Sequence, residues 1–338
     1  MLVATATSAA GVDGVEPIQL TVPPEASAAE RHAADELERI LPRMFRRPVT
    51  REEDAAAAVR IELRYDPSLG AEEYRLLREC RSPVIRIHGG RPRCVSYGVY
   101  GLLGDCLGCR WFIPDVERVP AKKLDDLPAA MNESHRPASE YREVYWREAL
   151  NADWAARNRL NSNGAPLGER HGGKIIYGEF VHTFDRILPA AKHVDEHPEW
   201  FSMVGGRRLK EHTQLCLTHP EVLARTIAAV REWIRRRPDA TIFSVSQNDR
   251  HNPCQCAACA AVDAAKGSHA GSLIAFVNRV AEAIEPDHPH VSIDTLAYQY
   301  IRRPPRRLRP SPNVIVRAPS SAALRIRSTA APKRATAP

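Results

Sequence analysis

The sequence predicts an α/β protein: a small α/β sandwich followed by a barrel of parallel βα units that is cut short. Three observations predict it. Short alternating apolar runs take turns with amphipathic helical runs along most of the 338 residues, which is the rhythm of βα units. No GxGxxG follows the first strand and no GxxxxGK[ST] occurs anywhere, so the nucleotide-cradling loops of doubly wound sheets are absent. Residues 139–317 are fewer than the about 200–250 of a complete eight-unit barrel, so about six strands and an open barrel are expected.

The elements follow in order. PIQLTV (17–22) reads as a strand. Residues 26–45 form a helix with Ala33, Leu37, Ile40 and Leu41 at helical spacing, Ser27 able to cap it and Pro42 interrupting its end. VRIELRY (59–65) and VIRIH (84–88) alternate like half-buried strands, and residues 93–107 are helical with Val95, Val99, Leu102 and Leu103 on one side. Residues 127–138 read as a linker. Beyond it, strands are expected at 141–146, 180–184, 214–217, 241–246, 291–297 and 314–316, with helices at 149–160, 220–236 and 272–284. The domain plan is a flexible 1–16, a first domain at 17–126, the linker 127–138, a partial barrel at 139–317 and a disordered tail at 318–338.

Composition limits the function classes. Apolar residues at 43% and charged residues at 26% suit a soluble globular chain. No apolar run of about 18 residues exists, so no membrane helix is expected, and the N-terminus lacks a basic segment followed by an apolar one, which favours a cytoplasmic location. The net charge of +7 comes from the end of the chain: residues 301–338 hold ten Lys or Arg and no acid, leaving 38 basic against 41 acidic residues elsewhere. No nucleic-acid partner is expected, because phosphate-tracking surfaces spread their cations over a folded face.

Two stretches resemble known families. VIRIHGGRPRCVSYGVYGLLGDCLGCRWFIPD (84–115) resembles the small N-terminal domain of α-glucuronidases and β-hexosaminidases, where a glycine-ended strand precedes a helix and an aromatic stretch closes the domain. YREVYWREALNADWAARNRLN, HTF (182–184), HPEWFSMVGGRR, QLCLTHPEV, SVSQNDRHNPCQCAACAAVD and GSLIAFVNRVAEAIEPDHPHVSIDTLAYQY are similar, in the same order, to a bacterial domain family of unknown function, DUF4838. The resemblance covers about residues 17–317 and implies a hexosaminidase-type α/β sandwich followed by a TIM-like barrel of glycoside-hydrolase type. It is expected to stop at Arg317, where an Ala-, Arg-, Ser- and Pro-rich tail begins; a reading-frame slip there would explain the change and would leave the chain truncated.

Barrel sites lie at the C-terminal ends of the strands. Glycoside cleavage commonly uses two carboxyl groups, one a general acid and the other a nucleophile or base. Asp249, directly after TIFSVS, is the catalytic candidate; the competing role is bracing its loop through an Asx-turn. Asn248 and Gln247 are candidates for substrate binding, Asn248 with a turn role as its alternative. His182 is a further binding candidate or a satisfied structural histidine. Trp146 and Tyr298 are substrate-binding candidates as sugar-stacking platforms, with barrel core as the competing role; Arg147 is a further substrate-binding candidate, and Gln299 and Tyr300 follow Tyr298. Glu143 and Glu148 read as salt-bridge residues, which leaves the second catalytic carboxylate unassigned.

Eight cysteines occur, at 80, 94, 106, 109, 216, 254, 256 and 259. Without a secretory signal, thiols or a metal site are favoured over disulfides. Cys254, Cys256 and Cys259 form a CxCxxC cluster that needs a fourth ligand for tetrahedral zinc. Cys216 is the natural candidate, with His251 and His269 as alternatives, and reduced thiols or a disulfide are the competing readings. Such a zinc would be structural, and no cofactor is expected for catalysis. Cys106 and Cys109 read as buried packing. The expected function is hydrolysis of O-glycosyl bonds in an oligo- or polysaccharide. The alternatives are a carbohydrate-binding protein without catalysis and an inactive truncated fragment.

Overall fold

The computed structural model describes residues 15–52 and 57–318. The chain divides into two compact units, Met1–Ile175 and Ile176–Pro338. The reading-frame expectation concerns residues 318–338, of which 319–338 lie outside the described residues, as does most of the N-terminal segment 1–16.

The first unit carries β1 (Ile18–Thr21), α1 (Ala28–Phe45), β2 (Val49–Thr50), β3 (Val59–Tyr65), β4 (Tyr74–Arg78), β5 (Val84–Gly89), α2 (Pro92–Gly101), the hairpin β6 (Arg110–Ile113) and β7 (Val116–Arg118), β8 (Met131–His135) and α3 (Ala152–Arg157). Six strands form one sheet in the order β2-β1-β3-β5-β4-β8. The first four are parallel, and β4 and β8 run antiparallel to their neighbours. Ser27 begins α1 through a capping box: Glu30 N–H donates to Ser27 Oγ at 3.3 Å and Ser27 N–H to Glu30 Oε2 at 2.9 Å. The helix runs through Pro42 to Phe45 and ends on Arg46, whose left-handed backbone (φ 55°) sends its N–H to Pro42 O. Close packing of α2 on the sheet depends on small residues: a Cβ at Gly98 would stand 2.4 Å from Ile87 Cγ2.

Two segments of the first unit differ from the sequence expectation. Residues 127–138, expected as a linker, contain β8, an edge strand in which only Met131 is buried and the polar side chains face outward. Residues 141–146 form no strand. Instead Arg142 anchors this stretch within the first unit, its N–H donating to Asn161 Oδ1 at 2.8 Å and its Nη2 to Glu72 Oε2 at 2.9 Å. Ala149, Ala155, Ala156 and Leu160 then join the core of α1, α2 and the sheet. The helix expected at 149–160 is a 3-10 turn (Arg147–Leu150) followed by α3.

The second unit holds β9 (Tyr177–Glu179), α4 (Phe184–Ile187), α5 (Ala190–His193), the hairpin β10 (Met203–Val204) and β11 (Arg207–Arg208), α6 (Pro220–Arg236), β12 (Ile242–Ser244), α7 (Ala257–Lys266), α8 (Ala270–Ile284), β13 (Ser292–Leu296) and β14 (Val314–Arg317). Four strands make an all-parallel sheet in the order β14-β13-β12-β9. Spatial order therefore follows chain order, and every C-terminal strand end lies at the same edge. Phe243, Val245 and Ile293 share a core with Val230 and Ile234 of α6 and Phe276, Val277 and Val280 of α8. Among the described residues the sheet has four strands, not about six. Residues 214–217 contribute only a bridge, Leu215 to Phe201, and 180–184 leaves the sheet because His182 adopts a left-handed backbone (φ 58°) and Phe184 starts α4. No described helix is long and apolar enough to cross a membrane.

Candidate functional site

The loops after β9, β12 and β13 interlock at the C-terminal edge of the second unit's sheet. Ser246 is the junction. Its carbonyl accepts the N–H groups of Thr183 and Phe184 at 3.1 and 3.2 Å, its Oγ accepts the His182 N–H at 2.9 Å, and its own N–H donates to Thr183 Oγ1 at 3.0 Å. His182 Nδ1 lies 2.8 Å from the Gln247 carbonyl. A carbonyl only accepts, so Nδ1 carries the hydrogen and Nε2 is the ring's other polar atom. The His182 ring stands 6.0 Å from that of Tyr298, and Gln247 Nε2 donates to the Tyr298 carbonyl at 3.3 Å. Gln247 is fully buried, and its Oε1 has no partner among the described residues.

Asp249 is exposed at the tip, and Gln299 Nε2 donates to its Oδ1 at 2.7 Å. Asn248 turns the other way and is 3% exposed. Its Nδ2 donates to Asp185 Oδ1 at 2.9 Å and Thr213 O at 3.1 Å, and its Oδ1 accepts the Asp185 N–H at 2.9 Å. The Asn248 amide is therefore engaged on both sides, and it ties the exposed carboxylate of Asp185 to the loop that carries Asp249. Gln214 closes the brace: its Oε1 accepts the Asn248 N–H at 2.9 Å, and its Nε2 donates to the carbonyls of Asn248 and Arg250 at 3.0 and 2.7 Å.

Backbone strain gathers on this loop. Among the described residues of the second unit, three non-glycine residues have left-handed backbones: His182, His212 and Gln299, at φ 58°, 49° and 51°. Each touches residues 247–252. His182 meets Gln247 and Gln299 meets Asp249, while His212 contacts the Arg250 side chain and accepts from Asn252 through its carbonyl at 2.9 Å. Such conformations cost about 1–3 kcal/mol each and persist where the surroundings over-determine them, commonly at functional sites.

A buried acidic group belongs to the same sheet. Asp294, in the middle of β13, is fully buried. Arg317 Nη2 donates to its Oδ1 at 3.0 Å and Tyr177 Oη to its Oδ2 at 3.5 Å. Burial pushes the Asp294 carboxyl up to about 6, with Arg317, Ser244 and Tyr177 pulling the other way. Arg317 also lies over the rings of Phe180 and Tyr177, at 4.3 and 5.2 Å from their centroids. Residue spacing alone does not single out this group. An acid inside the apolar run SIDTL was the available signal, but its partner comes from the last strand.

The four cysteines proposed as metal ligands converge. The Sγ atoms of Cys216, Cys254, Cys256 and Cys259 all lie within 4.8 Å of one another. His251 and His269, the alternative ligands, are not in the cluster; His269 Nδ1 pairs with Asp263 Oδ2 at 2.8 Å. Elsewhere, burial pushes the thiols of Cys106 and Cys109 up to about 11, as suits inert packing. Trp146 and Arg147 fall in the first unit, where Trp146 is 62% exposed. Glu143 accepts the Gly164 N–H at 3.1 Å there. The first unit also has a cleft of about 390 Å³ lined by Glu72, Tyr97, Arg142 and Arg159 among others. Two of its cations are engaged, Arg142 with Glu72 and Arg159 with Asp105.

Fold and site together define an α/β protein whose parallel sheet presents polar and acidic side chains from successive strand-end loops. The family described as Domain of unknown function (DUF4838) matches residues 111–331, well over half of the chain, and the chain belongs to that family. The match continues past Arg317, where the sequence resemblance was expected to end. Similar solved structures are glycoside hydrolases. One is a GH20 exo-β-N-acetylglucosaminidase from Vibrio harveyi, at 12% identity and a TM-score of 0.42, covering 93% of this chain and 56% of that one. Another is the GH115 4-O-methyl-α-glucuronidase BtGH115A, at 12% identity and 0.49, covering 89% and 44%. A third is a β-N-acetylhexosaminidase from Bacteroides fragilis, at 12% and 0.43, covering 94% and 70%. The chain thus spans about half the length of the first two. No curated protein matches the sequence.

Proposed function

We propose that the chain processes carbohydrate by hydrolysing glycosidic bonds, at a site on the C-terminal strand ends of the second unit, with Asp249 as a reacting carboxylate. The observation that carries this is the convergence of all three left-handed non-glycine residues described in that unit on residues 247–252. Strained backbone there supports a loop kept for what it presents, and it presents Asp249. Four parallel strands in chain order suit an arc of a TIM-like barrel, whose reactive groups come from strand ends.

The chemistry asks for two carboxyl groups. Asp185 is the natural partner, because Asn248 holds it to the loop bearing Asp249 through two hydrogen bonds. One acid gives its proton to the departing glycosidic oxygen as the C–O bond breaks. The other, as a carboxylate, either attacks the anomeric carbon or takes a proton from the water that does. Gln299 fixes the orientation of Asp249, while His182 Nε2 and the Tyr298 ring offer a hydrogen bond and a stacking face for sugar. Asn248 and Gln214 act as positioning residues. The test is turnover of a panel of para-nitrophenyl glycosides of hexoses, N-acetylhexosamines and uronic acids. Hydrolysis of one member, lost in Asp249→Asn, supports the assignment. Saturable sugar binding without any turnover would instead favour a carbohydrate-binding protein.

A further inference from the structure

We infer that Cys216, Cys254, Cys256 and Cys259 form a structural zinc site that pins the Asp249 loop to the segment after β11. The geometry is that of a thiolate cage. Zn–S bonds of about 2.3 Å in a tetrahedron place sulfurs about 3.8 Å apart, and Cys216 Sγ lies 3.7 Å from Cys256 Sγ and 3.9 Å from Cys259 Sγ. A disulfide would need about 2.05 Å, and all four are free thiols. Three are buried and Cys256 is half-buried, so the cage has little room for a water ligand and suits a closed, non-catalytic ion.

The surroundings fit four thiolates around a divalent ion, a unit of net charge −2. Met203 N–H points at Cys254 Sγ at 3.4 Å, Arg208 Nη1 lies 3.8 Å from the same sulfur, and Thr218 Oγ1 is 3.2 Å from Cys259 Sγ. Cys256 is the N-cap of α7 and Cys259 sits in its first turn, where the helix end favours negative charge. The β10–β11 hairpin folds over the cluster. Gln255 N–H donates to the Met203 carbonyl at 2.7 Å, and the Gly205 N–H donates to Gln255 Oε1 at 3.1 Å. These donors and the Arg208 cation supply the outer contacts that orient and neutralise metal thiolates.

The contrast within the chain is informative. His32, Asp153 and His171 in the first unit also come close together. There Arg170 pairs with Asp153 and donates to His171 Nε2 at 3.3 Å, so a cation already occupies the carboxylate. At the cysteine cluster the neighbouring cation is Arg208, whose Nη1 lies 3.8 Å from Cys254 Sγ and leaves the four sulfurs within 4.8 Å of one another. A zinc bound by Cys216 and CxCxxC would join residues 216–218 to 254–259, and Gln214 and Asn248 extend the same clamp towards Asp249.

The inference is independent of hydrolase activity and is tested without it. Full-length chain purified from zinc-supplemented medium is expected to carry one zinc per chain. Replacing it with Co²⁺ should give the sulfur-to-metal charge-transfer and visible bands of a tetrahedral thiolate site. Cys80→Ser, at an exposed thiol outside the cluster, should keep full stoichiometry, and Cys216→Ser should lose metal. Should Cys216→Ser fail to fold, Cys216→His retains four ligands and is expected to bind Co²⁺ with weakened charge-transfer intensity. A folded wild-type chain that binds neither Zn²⁺ nor Co²⁺ would overturn the assignment. So would equal metal content in Cys216→Ser and wild type.

Discussion

Replacing Asn248 by alanine separates bracing from substrate contact. In the structure its side chain makes three hydrogen bonds, to Asp185 Oδ1, Thr213 O and Asp185 N–H. Thr213 is 2% exposed, so its carbonyl loses that donor in a place water hardly reaches. A buried polar group left unpaired costs about 1–3 kcal/mol, and each further lost bond contributes about 0.5–1.5 kcal/mol. Asn248→Ala should therefore destabilise the second unit by about 2–6 kcal/mol. At about 2–4 °C per kcal/mol for a domain of this size, the melting transition should fall by roughly 10 °C. Differential scanning calorimetry reads the transition, and hydrogen exchange should show faster opening of residues 213–218 and 247–252. A fall below about 2 °C with unchanged exchange would refute the brace. If that variant also bound sugar more weakly, Asn248 would be a ligand-contacting residue instead.

The other predictions concern the core, the pH dependence and a helix end. The Asp294 carboxyl, raised to about 6 by burial, holds its proton more tightly folded than unfolded. Its contribution is thus fully present below about pH 4 and fades as pH rises through about 6, by about 2–3 kcal/mol. Urea midpoints of wild type minus Asp294→Asn should fall across that window, and a flat difference would contradict the buried placement. Gly178→Ala would put a Cβ 2.0 Å from the fully buried Phe243 ring, so a loss of about 3 kcal/mol or more is expected in urea melts. Ser27→Ala removes the α1 cap and should cost about 1 kcal/mol in the first unit alone.

Helices and ligand residues were more legible than sheet partners. The apolar stripes of α1, α6 and α8 lie where helical spacing places them, because one face of each packs on a sheet. The cysteine cluster was readable because the CxCxxC spacing marks three ligands, and Cys216, ahead of α6, meets them in the loop after β12. What failed was inference from alternation alone. YREVYW alternates like a strand, yet Arg142 is held by Glu72 and Asn161, and Tyr145 and Trp146 are largely exposed. VHTF looks extended until His182 turns left-handed to meet the Ser246 hydroxyl and the Gln247 carbonyl, partners from a distant strand end. Asp294 and Arg317 stayed hidden because only the register of β13 against β14 brings them together.

The most direct test of the strand-end site is the hydrolysis rate of wild type, Asp249→Asn and Asp185→Asn on the para-nitrophenyl glycoside that wild type cleaves best, with circular dichroism checking the fold. Loss of a reacting carboxylate should lower turnover by about 100-fold to 10,000-fold in each variant while the sheet stays intact. Turnover within a factor of two of wild type in a folded Asp249→Asn chain would contradict the account.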